Sequence, residues 1–276
     1  MTPEVQALVE ETLALAIARE SLRHPRHSGV LIPLRARFAR LLIKRWRKQQ
    51  RLFLREASHW LGKLGAGHRE ADADLKAKLQ ASVTAKINAG SALSQPPTRD
   101  ETNAYDSMVE AAASGAIDNI SVDLAIEAAA DAGKTFATNY LKKNSFHQLA
   151  SDIDATTRDR MANAVADSFA SGGSYDDAVK AIKGAFKAMT DKRADTIAQT
   201  ELADVYNQAM LASARETEGE LLKVWNPDGE ACAEICQPNV DQSAIGLDED
   251  FESGDDAPPG HPNCDCSIGF VRSSEA

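Results

Sequence analysis

The chain has 276 residues, enough to bury a sizeable core in one large or two medium domains. Hydrophobic residues make up 43% and aromatics only 5%, with alanine abundant, a balance that argues against a β-sandwich and for a mainly α protein. The net charge of −10 is unevenly spread: residues 1–70 carry 14 Lys/Arg against 6 Asp/Glu, a balance of +8 that leaves −18 for the remainder, so two surfaces with different partners are expected.

The start, Met1-Thr2-Pro3-Glu4, has no basic stretch followed by an apolar one, so no secretory signal is expected. No run of roughly 18 apolar residues predicts a membrane span. A reducing cytosol is the expected setting, where a disulfide is the less expected fate of cysteine. Residues 4–22 carry Val5, Leu8, Val9, Leu13, Ile17 and Leu22 at helical spacing and predict a first helix. His24-Pro25-Arg26-His27-Ser28-Gly29 is expected to break it, with both histidines on a loop surface. Pro33 then fits the opening of a second helix, because a first-turn residue needs no amide donor.

From Leu34 to about Leu64 the pattern is helical throughout. Phe38, Leu42, Trp46, Phe53, Ala57, Trp60 and Leu64 gather on one side. Arg37, Arg40, Lys44, Arg47, Lys48, Arg51 and Arg55 gather on another as a basic stripe. At ~1.5 Å per residue this helix is on the order of 45 Å long. The stripe reads as a solvated face, as a salt-dependent contact with a polyanion or acidic protein surface, or as a membrane-surface helix.

Residues 65–100 are weakly amphipathic and end in Ser94-Gln95-Pro96-Pro97-Thr98, the best linker candidate in the chain. Residues 101–143 are Ala-rich and predicted helical, with Gly115 and Gly133 as expected breaks. Met161, Val165 and Phe169 mark a further helix that Gly172-Gly173 should terminate through positive φ. Ser174 is a predicted N-cap, with Asp176 and Asp177 in the first turn and Val179, Ile182, Phe186 and Met189 on the buried face. After Thr190 another helix is expected to run to about Ala214, with Ala198, Leu202, Val205 and Ala209 on its apolar side. On its other side Arg193, Thr200, Asp204 and Asn207 fall on one line, flanked by Glu201. That line is either a solvated polar face or a set of donors and acceptors that clamp the segment following it. Three regions result: 1–98, helical with the basic helix; 99–190, a helical middle; and 191–276, the polar-faced helix and a Cys/His knuckle with short strands and loops.

All 4 cysteines lie in that last region, in Cys232-x-x-x-Cys236 and His261-x-x-Cys264-x-Cys266. They offer five soft or borderline ligands, whereas structural zinc takes four. The preferred set is Cys232, Cys236, Cys264 and Cys266, with His261 as a supporting or substitute ligand. Reduced thiols packed in a small core and disulfides are the alternatives. Bound zinc would stabilise a segment too poor in apolar residues to fold firmly alone. The acidic stretch from Asp241 to Asp256 lacks the fixed ligand spacing of an EF-hand and reads as an exposed loop that could meet a basic patch on a partner.

The segment Arg193-Ala194-Asp195-Thr196-Ile197-Ala198-Gln199-Thr200-Glu201, continuing to Tyr206-Asn207-Gln208-Ala209, resembles the "RA..IA.TE…AYN.A" block of the phage head morphogenesis family, the Mu F-like minor head proteins of tailed bacteriophages. Trp225, Cys232, Cys236 and Pro258-Pro259-Gly260-His261-Pro262-Asn263-Cys264-Asp265-Cys266 resemble the same family's "W…C..C…PP.HPNCRC" ending. The resemblance covers residues from about 155 to 272. Three departures stand out: Gly260 where the family usually has a bulky apolar residue, Asp265 where it usually has arginine, and three residues rather than two between Cys232 and Cys236.

The resemblance implies a minor capsid protein that acts structurally in procapsid assembly and associates with the portal protein, with major capsid or scaffolding protein and packaged double-stranded DNA as further partners. It implies a place in the virion, inside the capsid near the portal vertex, after synthesis in the host bacterial cytoplasm. No catalytic activity comes with it. The rival reading is a nucleic-acid-binding module in which the basic helix grips phosphates and a zinc knuckle positions it. An enzyme with Glu201 as base and a zinc-bound water is weaker, because a thiolate-rich site leaves no open coordination position.

Overall fold

The computed structural model describes residues 25–64, 73–90, 92–123, 132–171, 173–190, 192–217, 220–227 and 231–273. The helix expected over residues 4–22 lies outside them. Among the described residues there are eight helices and one three-stranded antiparallel sheet, so the fold is mainly α as expected. In chain order they are α1 (Pro25–Leu64), α2 (Ala73–Ala89), α3 (Arg99–Asp123), α4 (Ala132–Lys143), α5 (Phe146–Ala170), α6 (Tyr175–Thr190), α7 (Lys192–Arg215), β1 (Leu221–Asn226), α8 (Cys236–Asp241), β2 (Ile245–Gly246) and β3 (Ser267–Arg272).

Two expectations are corrected here. Pro25–Gly29 does not break the chain but opens α1, and Pro33 lies inside that helix. Pro25 fits a first-turn position. Pro33 has no amide to give the carbonyl of Gly29, four residues back, but Gly29 is exposed and water can take that place. Gly115 likewise does not interrupt a helix but lies within α3, while Gly133 is the second residue of α4. A Cβ on Gly133 would come 2.6 Å from Ser114 Oγ, so this glycine lets α4 approach α3 closely.

Contacts group the chain into two compact units, one of Met1–Arg37, Asp106–Lys143 and Thr196–Ala276, the other of Phe38–Tyr105 and Asn144–Asp195. The Ser94–Thr98 stretch, a bend followed by chain in neither helix nor strand, falls inside the second of these.

That second unit is all helical. Phe53, Ala57 and Leu61 of α1 pack with Val83 and Ile87 of α2, Met161, Val165 and Phe169 of α5, and Ile182 and Phe186 of α6. A second aromatic group joins Phe38, Tyr105 and Phe146, with ring centroids 5.2 Å apart for the first pair and 5.1 Å for the last. Between apolar layers lies a buried polar network. Arg45 donates to Asp154 Oδ2 at 2.8 Å and to the carbonyl of Gln95 at 2.6 Å, while Gln49 donates to Asp154 Oδ1 at 2.8 Å. Burial raises the Asp154 carboxyl above the ordinary carboxylate range, against the opposing pull of Gln49 and Arg45.

Helix starts are set by local chemistry. Ser145 caps α5 by accepting from the Gln148 amide. Ser174 and Asp177 form a reciprocal capping box at α6: the Asp177 amide donates to Ser174 Oγ, and the Ser174 amide donates to Asp177 Oδ2 at 3.0 Å. Thr98 and Glu101 do the same at α3.

In the first unit, Asn119 of α3 donates to the Tyr206 hydroxyl of α7 at 2.5 Å, and the Tyr140 hydroxyl of α4 donates to Asp204 of α7 at 2.6 Å. Asp204 therefore serves a helix contact. The sheet has the order β2-β1-β3, with Trp225 opposite Ile268 and Asn226 opposite Ser267.

Candidate metal centre on the signature helix

The knuckle is built between β1 and β3, where the chain leaves the sheet, turns through α8 and an acidic loop, and returns. Trp225, Phe251, Cys236, Cys264 and Cys266 are all buried in one small cluster. Trp225 and Phe251 meet edge to face with centroids 5.0 Å apart. A cis peptide joins Pro258 to Pro259, and Asn263 takes a positive φ of 63°, a conformation that asparagine tolerates. These turns carry His261 and Cys264 back over Cys236.

All four cysteines are free thiols. Cys236 Sγ lies 3.2 Å from His261 Nε2 and 3.7 Å from Cys264 Sγ. Two triads, Cys232/Cys236/His261 and Cys236/Cys264/Cys266, each place their ligand atoms within 4.8 Å of one another, and they share Cys236. The five residues singled out by sequence thus fall in two overlapping triads around Cys236, and their donor chemistry suits zinc.

The thiols are electrostatically unequal. The Cys236 amide, 3.3 Å from Cys232 Sγ, is the chief cause holding the Cys232 thiol down to about 7. Burial pushes Cys236 up to about 12. A hydrogen bond from the Cys266 thiol holds Cys264 down to about 6, and the same bond, with burial, drives Cys266 well above the ordinary thiol range. His261 is raised, first by the bond from its ring to the Pro262 carbonyl.

The long helix α7 supports this centre from its polar face. Thr200 Oγ1 accepts the Asn263 amide at 3.0 Å while donating to Thr196 O. Asn207, fully buried, accepts the Ile268 amide at 2.9 Å and donates to the Cys266 carbonyl at 3.4 Å, standing in for a strand beside β3. Arg193 does not join them. Its guanidinium sits over the Trp46 ring at 5.5 Å and donates to Thr157 Oγ1, and both partners lie in the helical unit. Glu201 is half-buried on the same helix and takes part in a polar interaction of its own.

Three supporting residues escaped the sequence reading. Gln199 donates to Asp265, Gln208 donates to Asp256 Oδ1 at 2.9 Å, and Arg215 donates to Asp248 Oδ1 at 2.9 Å and to the Leu247 carbonyl at 3.0 Å. Gln199 and Gln208 directly adjoin Thr200 and Asn207, and that adjacency was the available signal. The acidic loop is therefore tied down in part by α7. Lys223 of β1 is a further missed residue. Completely buried, it donates to the Asp256 carbonyl at 2.8 Å and lies over the Phe251 ring, and burial lowers its pKa.

Two departures from the family pattern now have a setting. A Cβ on Gly260 would lie 2.8 Å from Ile235 Cγ2 and 3.4 Å from Trp225 Cη2, so Ile235 already fills the space a larger residue would take. Asp265, exposed where the family usually has arginine, is met by Gln199.

The seven basic residues of α1 are all exposed, and among the described residues none of them has an ion-pair partner. Arg45, outside that stripe, is the buried cation of this helix. No helix among the described residues is long and apolar enough to cross a membrane.

Fold and site together define a helical protein that ends in a Cys/His knuckle seated on the polar face of one long helix. Residues 159–269 match the family model described as Phage Mu protein F like protein, so this part of the chain is similar to that family. No curated protein and no solved structure matches the chain.

Proposed function

We propose that this chain is a minor head protein of a tailed bacteriophage that acts structurally in procapsid assembly by associating with the portal. One observation carries the reading: two residues of the family signature, Thr200 and Asn207, are spent on internal ties between α7 and the knuckle. Thr200 and Asn207 hold the returning chain, and the thiols face one another in a small buried core. A site so engaged supports a scaffold for a surface, with no open position for substrate. Zinc in the knuckle is structural in this reading, and the virion, near the portal vertex, is where the protein acts. Co-purification with the portal protein encoded beside it, surviving nuclease and raised salt, is the expected result. Absence of association when both proteins are folded would remove the assembly role.

Contact with packaged DNA is a second element, supported by the exposed cations of α1. Duplex DNA should bind with a steep salt dependence, and binding should vanish when Arg40, Lys44, Arg47 and Arg51 are changed to Glu. Unchanged binding in that variant would reject the stripe as the DNA-contacting face.

A further inference from the structure

We propose that the knuckle holds one zinc ion through Cys232, Cys236, His261 and Cys264, and that Cys266 is a core thiol outside the ligand set. This rests on the structural-zinc reading above and reverses the order of preference drawn from sequence, in which Cys266 was a ligand and His261 a substitute.

Five donors compete for four places. Both triads contain Cys236, so an ion bound by this cluster must include that thiol. On a tetrahedral zinc, two thiolates lie about 3.8 Å apart, and a thiolate and an imidazole nitrogen about 3.5 Å apart, from the usual bond lengths. Cys236 Sγ is 3.7 Å from Cys264 Sγ and 3.2 Å from His261 Nε2, so both neighbours already stand near ligand separation. Cys232 completes the triad on the half-exposed side, with Cys236 and His261.

The imidazole is also oriented as a ligand. Its Nδ1 lies 3.0 Å from the Pro262 carbonyl, and a carbonyl only accepts, so Nδ1 carries the proton. The Nε2 atom is the one turned to Cys236. A backbone carbonyl that fixes one ring nitrogen so that the other can bind metal is the usual support of a metal-ligating histidine.

Cys266 Sγ also lies within 4.8 Å of the Cys236 and Cys264 sulfurs, but its setting differs. It is buried against Trp225, and its carbonyl is held by Asn207 at the entrance to β3, so the sheet already accounts for its position. Charge favours the same choice. Zinc with four thiolates carries a net 2−, and with three thiolates and a neutral imidazole 1−. Asp265 stands beside Cys266, and Asp255 and Asp256 lie in the returning loop, so the less negative centre is the better fit in this acidic segment. The ion would then join the Cys232–Cys236 turn to the His261–Cys264 turn, the one that Thr200 reaches from α7.

Zinc-edge X-ray absorption of the full chain, purified without chelator, decides this without any variant. Three sulfurs and one nitrogen are expected, and four sulfurs would overturn the assignment. Less than half an equivalent of zinc would reject the structural-zinc reading itself, a different failure. With cobalt in place of zinc, Cys266→Ala should keep the full thiolate charge-transfer intensity, whereas Cys264→Ala should lose about one third of it. His261→Ala should shift the visible ligand-field bands and weaken metal retention. A loss in Cys266→Ala with unchanged spectra in His261→Ala would place Cys266, not His261, on the metal.

Discussion

The helical unit of Phe38–Tyr105 and Asn144–Asp195 and the knuckle after β1 each hold buried polar groups, by different means. In the helical unit, side chains from α1, α2, α5 and α6 bury a broad apolar core, and one ionic group, Arg45–Asp154–Gln49, sits inside it. In the knuckle, Trp225 and Phe251 are the large apolar residues of the buried cluster, and three of its members are cysteines. A large core tolerates an internal charge pair because the surrounding burial is ample. A small one cannot supply that margin, so it relies on hydrogen bonds from a helix that is itself well packed and, in the reading proposed above, on a metal shared by its thiols.

Removal of metal should break the comparison most sharply. Chelation at neutral pH is expected to abolish the cooperative folding of the knuckle, since structural zinc contributes on the order of 10 kcal/mol in small sites. Trp225 fluorescence should shift, while most far-ultraviolet helical signal persists. Loss of all helix together with the knuckle would show that the helical unit depends on the metal.

Asp154→Ala tests the other side. It leaves the buried Arg45 guanidinium with only its longer pair to Glu101, at 3.4 Å, and should cost about 3–5 kcal/mol in urea unfolding. A cost below about 1 kcal/mol would mean that the pair contributes little.

Asn207→Ala removes a donor and an acceptor from fully buried backbone partners and should cost about 2–3 kcal/mol. Weaker metal retention should accompany it if the helix clasp orders the thiols. Thr200→Val should cost less, because the Asn263 amide it serves is exposed.

Gly260→Val restores the bulk usual in the family and should destabilise by about 1–3 kcal/mol through its clash with Ile235. Adding Ile235→Ala should recover most of that loss. No recovery in the double variant would show that Ile235 does not fill the family's apolar position.

The smallest effect expected is a pH dependence in the helical unit. Bonds from Ser174 hold the Asp177 carboxyl down to about 2, below its ordinary value. A carboxylate with a depressed folded pKa stabilises above its unfolded pKa and loses that contribution as pH falls through the folded one. The capping box should thus weaken between about pH 4 and pH 2, a change that Ser174→Ala should reduce, as read from thermal unfolding at each pH.

Much of this was legible in the chain. The apolar spacing of Phe38, Leu42, Trp46 and Phe53, and of Ala198, Leu202, Val205 and Ala209, marked buried faces because helical period and burial are one signal. Ser174 was recognisable as a cap because its hydroxyl and the Asp177 carboxylate act within one turn. The clustering of every cysteine near one end announced a common centre. Those inferences rest on local chemistry and periodicity, which the sequence carries directly.

Tertiary structure decided what depends on distant partners. Gly115 and Gly133 read as breaks, yet a neighbouring side chain or helix occupies the space their missing Cβ atoms leave. Arg193 lay on the same helical line as Thr200 and Asn207, but Trp46 and Thr157, far away in sequence, take it. Arg45 and Lys223 are buried cations, and only packing shows the carboxylate and carbonyl that make their burial tolerable. At the knuckle, spacing named five donors without ranking them. The Pro262 carbonyl, beside Nδ1 of His261 while Nε2 faces Cys236, favours His261 in the ligand set proposed above, through a hydrogen bond that spacing does not contain.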